Sequence, residues 1–165
     1  MKIRKKALLY DIANLAYVIA DTGDAANHRL HQVRDICEDG NIDRVARILG
    51  LAYSNILAAL LPVIKSPHID VNRDNSSEAH DYEISFRDDR HLRYLLSKEI
   101  KLKIRETAHE YMVCMVMADW LAIIYPEAAD VWKFRMEKSM GSLQGIVGDV
   151  VSGSATGFRR KLSPF

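Results

Sequence analysis

The segment 107–136, TAHEYMVCMVMADWLAIIYPEAADVWKFRM, decides how the rest of the chain is read. Ala108, Tyr111, Met115, Ala118 and Ala122 recur at intervals of three and four, the period that places side chains on one face of an α-helix. Pro126 ends that helix and opens the next, because a first turn loses nothing when its N–H is missing and the proline ring already holds a helical φ. Glu127 follows in the positively polarised first turn. Trp132 and Met136, continued by Met140, Leu143 and Val147, mark the apolar stripe of the second helix. That helix is expected to weaken beyond Gly141, Gly145 and Gly148, since each glycine costs roughly 1 kcal/mol relative to alanine.

Working back from this pair, Leu92, Leu96, Ile100 and Ile104 extend the first stripe toward Asp88 and Asp89, either able to cap a helix. Ile100, Leu102 and Ile104 also alternate with Lys101, Lys103 and Arg105, so a third strand or a break near Ser97 stays open. Further back the period changes to two. Ile69 and Val71 alternate with polar residues, as do Tyr82, Ile84 and Phe86, and predict two strands joined by the polar stretch 72–81. An isolated hairpin is marginal in water, so this one must lie on its own bundle or on a partner's strand.

Three helices are expected before the hairpin. The first carries Leu8, Ile12, Leu15 and Ile19 and stops at Gly23. The second is capped by Asp24, buries Ala26, Leu30, Val33 and Cys37, and ends at Gly40. The third starts at Asn41 as N-cap and runs through Val45, Ile48, Leu49, Ala52, Ile56 and Leu60 to Pro62, with so thin a polar side that it is expected at the centre. The sequence therefore predicts a mainly α fold: a five-helix bundle with one β-hairpin, at about 68–87, inserted between helices 3 and 4. Residues 1–151 form the helical domain and 152–165 an extended C-terminal tail.

Composition bounds the function classes. A chain of 165 residues, 48% hydrophobic, can bury one core without metal or disulfide staples. Lysine and arginine number 23 against 22 acidic residues, and a net charge of +1 gives no global case for a nucleic-acid or acidic partner. Basic character is local, in Lys2, Arg4, Lys5 and Lys6 and again in Arg159, Arg160 and Lys161, and each group reads equally as a solvated terminus. Two cysteines, Cys37 and Cys114, lack metal-ligand spacing and fit a reducing cytoplasm. Asp11, Asn14 and Asp21 interrupt what a leader peptide would keep uncharged. The most apolar run, 111–125, contains Asp119 and is shorter than the roughly 20 residues a bilayer requires, so no membrane span is expected.

Candidate chemistry is sparse. His109 and Glu110 open like a zinc-protease helix, but the second histidine's position is Val113, and Cys114 points about 140° away. His28 and His31, and the set Asp70, His80 and Asp81, have no characteristic ligand spacing. No nucleophile motif or phosphate loop is present in the sequence, and no catalytic residue, metal or cofactor is expected. Asp119, inside the apolar run, must find a cation, either on a neighbouring helix or across a subunit interface. The methionines Met112, Met115, Met117, Met136 and Met140 fill a core or line an adaptable groove.

The tail carries the functional signal. After the glycine and serine link at 152–157 come Phe158, Arg159, Arg160, Lys161, Leu162 and Phe165, apolar anchors too few to shelter one another, which predicts docking on another chain. The segment 107–136 resembles the last helical pair of small proteins from phages and prophages of gut Bacteroidetes. The order of helices, hairpin, long helix and final helix is similar to head-to-tail connector, or adaptor, proteins of tailed phages. The likeness in sequence is confined to 107–136; beyond it only the element order is shared. It implies a virion structural subunit, assembled in the bacterial cytoplasm into a homo-oligomeric ring, commonly twelve-fold, beneath the portal. On that reading the tail grips the portal or a neighbouring ring protein, Ile69, Val71, Tyr82, Ile84 and Phe86 contact an adjacent subunit, and DNA at most passes through the channel. The alternative is a small cytoplasmic regulatory or nucleic-acid-binding helical protein, with the two basic groups converging on phosphate.

Overall fold

The computed structural model describes residues 1–22, 31–65 and 81–153. They run in the order β1 (Lys2–Ile3), α1 (Lys5–Thr22), α2 (His31–Arg34), a 3-10 turn (Asp35–Cys37), α3 (Ile42–Leu60), β2 (Tyr82–Glu83), α4 (Arg90–Leu95), α5 (Lys98–Ile124) and α6 (Pro126–Val151). The fold is mainly helical, as the periodicity predicts.

The centre is α5. Tyr111, Met112, Val113, Cys114, Val116, Met117 and Ala118 are all buried, and such a run covers every side of a helix. The expectation that α3 would be central is corrected: α3 is amphipathic, burying Val45, Ile48, Leu49, Ala52, Ile56 and Leu60 while Leu51 and Arg47 face out. Helices α1, α3 and α6 each pack on α5. An 18-residue window of α5, with mean hydropathy 1.2, is long and apolar enough by length and composition to cross a membrane, but 56% of it is buried by the rest of this fold. The methionines at 112 and 117 are core and those at 115, 136 and 140 are half-buried against it.

Local rules explain the ends. Residues 98–106 are helix, and the alternation at 100–104 reflects Ile104 facing the core while Leu102 stays exposed. The break near Ser97 exists: Ser97 caps α5 by accepting from the Ile100 N–H at 3.3 Å. Tyr125 alone separates α5 from α6, with Pro126 in the first turn of the new helix. α6 continues through Gly141, Gly145 and Gly148 to Val151, because Leu143, Val147 and Val150 on its inner face are buried and outweigh the glycine cost. Gly153, at φ +71, then adopts the left-handed conformation that closes a helix end. Asn41 precedes α3 but makes no side-chain cap; its amide instead donates to the Asp35 carbonyl at 2.8 Å, tying the 3-10 turn to α3. That tightened turn buries Ile36 and leaves Cys37 half-buried.

The strand expected at Tyr82 has an unexpected neighbour. β2 pairs antiparallel with β1, Lys2 opposite Glu83 and Ile3 opposite Tyr82, and Phe86 bridges Ile64 just beyond. Ile69 and Val71, the other expected strand, lie outside the described residues. Asp81 closes this corner. Its carboxylate accepts from the Lys5 N–H at the start of α1, 3.0 Å away, and lies 3.2 Å from the Lys2 ammonium. α1 has no capping side chain of its own at Arg4, so a residue far along the chain supplies one.

The Lys5 N–H and then Lys2 hold the Asp81 carboxyl below its ordinary value, while Asp81 holds Lys2 above its own. A carboxyl lowered on folding contributes stability above its unfolded value, here 3.8, and loses that contribution as pH falls through the folded value. Asp81→Asn is expected to lower the thermal midpoint at pH 7, with the gap to the parent chain closing as pH drops below about 3.8; thermal melts across pH measure both effects.

Candidate functional site

Three charged residues of α5 each reach a different neighbouring helix. His109 Nε2 lies 2.7 Å from Asp11 Oδ2 on α1. Glu110 accepts from Arg135 Nη2 on α6 at 2.6 Å, and the same guanidinium sits 4.4 Å from the Trp132 ring centre. Asp119 accepts from Arg44 Nε on α3 at 3.0 Å and also from Nη2 of the same group. Asp119 therefore finds its cation within the chain, on a neighbouring helix. His109 and Glu110, adjacent in sequence, point to opposite neighbours and do not converge on one site. No group of three or more His, Cys, Asp or Glu suited to a metal occurs among the described residues. Asp70, His80, His28 and the side chain of His31 lie outside them.

Both thiols are muted. Burial pushes Cys37 up, and its Sγ faces the Leu9 carbonyl at 3.8 Å. Cys114 is pushed up to about 12, first by burial and then by the Glu110 carboxylate, to which its Sγ donates at 3.4 Å; Arg135 pulls weakly the other way.

The strand residues expected to meet a partner are mostly spent at home. Tyr82 and Ile84, expected to contact an adjacent subunit, are buried in the chain's own core, with the Tyr82 ring 4.9 Å from Tyr53. Of the two fates open to this strand, packing on its own bundle is the one observed. Phe86 is half-buried, with the Lys101 ammonium 5.7 Å from its ring. Phe158, Arg159, Arg160, Lys161, Leu162 and Phe165 lie outside the described residues.

Two features escaped sequence reasoning. The first is an apolar outer face on α6: Val131 is 61% and Phe134 67% exposed, and Lys138, Gly141, Gly145 and Gly148 follow at the same helical spacing. A Cβ added at any of these three glycines would meet nothing within 4 Å, so the strip is open and flat. The only sequence signal was the glycine spacing, which reads first as a helix weakener. The second is a cleft of about 550 Å³ where β1 and the start of α1 meet the middle of α5. Its walls are Lys2, Ile3, Arg4, Ala7, Arg105, Glu106 and His109. Lys2 is occupied by Asp81 and Glu83, so part of the basic N-terminal group is neutralised within the fold.

No protein-family model, curated protein or solved structure matches this chain.

Thiolate is the reactive form, so at pH 8 a thiol at about 12 should react roughly a thousandfold more slowly than one at 9.0. Native Cys114 is expected to resist a disulfide-exchange reagent and to react fully in denaturant. Glu110→Gln should speed the native reaction, because the carboxylate raises the thiol's value; stopped-flow or absorbance kinetics decide.

Proposed function

We propose that this chain is a non-enzymatic assembly subunit that docks on other protein chains through the outer face of α6 and the tail that follows it. The observation that carries the reading is the exposure of Phe134 and Val131 on a regular, well-anchored helix. An aromatic side chain left mostly in water beside a flat glycine strip suits a partner surface that approaches closely, with Phe134 as the anchor. The same helix leads in sequence to Phe158, Leu162 and Phe165, anchors preceded by a short stretch of glycine, serine and other small residues.

The specific form we favour is a ring subunit of a tailed-phage head-to-tail connector. Support comes from the resemblance of 107–136 and from the element order, in which a helical core ends in a docking arm. In such a ring the α6 face meets the adjacent subunit and the arm grips the portal or a neighbouring ring protein. The regulatory or nucleic-acid reading is less favoured, since Lys2 is engaged by two carboxylates and the net charge is +1.

Deleting 158–165 is expected to abolish incorporation into particles, or co-purification with the portal, while leaving the thermal midpoint of the isolated chain unchanged. Phe134→Ser should weaken association by about tenfold or more, the effect of losing a central aromatic anchor, as read by sedimentation velocity with the portal present. If both variants assemble like the parent chain, the reading is wrong.

A further inference from the structure

The cleft between β1, α1 and α5 has a charge pattern that the fold itself does not use. Lys2 is compensated by Asp81 and Glu83, and His109 Nε2 is engaged by Asp11. Arg4 and Arg105 differ: both are exposed in the same cleft, and among the described residues neither is held in a close side-chain pair, although the Arg4 charge does act on the Asp81 carboxylate. They come from segments about a hundred positions apart in the chain, so their juxtaposition is a product of the fold. Two guanidinium groups lining one cleft favour an anion there over a cation. Glu106 supplies one opposing charge, but it is adjacent to Arg105 on α5, and residues one apart on a helix do not face each other.

The complement of two guanidinium forks is an oxyanion, and a phosphate has enough oxygens to serve both forks at once. His109 adds a third polar group, its Nδ1 having no partner among the described residues. Ile3 and Ala7 give the cleft an apolar wall, and a volume of about 550 Å³ admits an organic body as well as a bare ion. We propose that this cleft binds a small phosphate ester, with its phosphate on Arg4 and Arg105 and with Glu106 accepting from a hydroxyl or amine of the organic body. Glu106 also disfavours a long polyanion, whose next phosphate would be brought against a carboxylate. This inference stands apart from the assembly reading, since α6 contributes no residue to the cleft.

Isothermal titration of the full chain at low salt, with inorganic phosphate, adenosine 5′-monophosphate, acetate and a single-stranded oligonucleotide as separate probes, tests the proposal. Saturable binding of one nucleotide per chain is expected, tighter than phosphate alone and absent for acetate. Arg4→Gln and Arg105→Gln should each weaken nucleotide binding about tenfold or more, as loss of a charge-assisted pair does. Glu106→Gln should strengthen the binding of inorganic phosphate severalfold, and Lys103→Gln, exposed elsewhere on α5, should change nothing. The proposal is overturned if acetate matches phosphate, if Lys103→Gln weakens binding as much as Arg105→Gln, or if oligonucleotides bind more tightly with length.

Discussion

A helix that is apolar on every side can meet water on none of them, and from Tyr111 to Ala118, where only Met115 is not fully buried, α5 is such a helix. Its burial needs at least three neighbours, and α1, α3 and α6 are those neighbours. The requirement explains the tight reversal at Tyr125 and Pro126, which returns α6 directly along α5, and the small Ala108, Cys114 and Ala118 that let flanking helices come close. Side chains such as Met112, Met117 and Leu121 are fully buried; truncating residues of this kind typically costs 2–5 kcal/mol. The fold depends on this seam more than on any local propensity.

The charged residues of α5 then do a different task. His109, Glu110 and Asp119 bind Asp11 on α1, Arg135 on α6 and Arg44 on α3, one contact for each surrounding helix. Each pair is partly exposed, and pairs in such settings contribute about 0–1 kcal/mol. Their value lies in direction. An apolar seam alone tolerates sliding and rotation, whereas three directed contacts fix the azimuth of α5 against each neighbour. Arg44 over Trp120 and Arg135 over Trp132 extend the same principle, laying a guanidinium on an aromatic face at the edge of the core.

The helical part of the fold was legible because its signal is periodic. The stripe through Ala108, Tyr111 and Ala118, the possible break near Ser97 and the stop at Pro126 are local facts, and the structure has each of them. What depended on distant pairing was not legible. β1 is two residues long in a basic stretch that reads as a solvated terminus, and only the folded chain brings Ile3 beside Tyr82 and Asp81 beside the Lys5 N–H. The choice of central helix failed for a related reason: α3 looked poor in polar residues, but α5 places its few charges at rim positions that sequence counting cannot separate from buried ones. The cleft was invisible for the same cause, since Arg4 and Arg105 share nothing in sequence.

Surplus features, those the fold does not need for its own stability, separate into two places. The outer face of α6 is surplus because Leu143, Val147 and Val150 on its other side already hold the helix, while Val131, Phe134 and the glycine strip stay exposed among the described residues. The cleft is surplus because Lys2, Asp81 and Glu83 already fasten β1, while Arg4 and Arg105 line it outside any close ion pair among the described residues. Exposed aromatic surface carries a free-energy cost in water through apolar hydration, whereas the two guanidinium groups set a positive local potential in the cleft. A protein surface suits the first place and an anion the second, and the two share no residue.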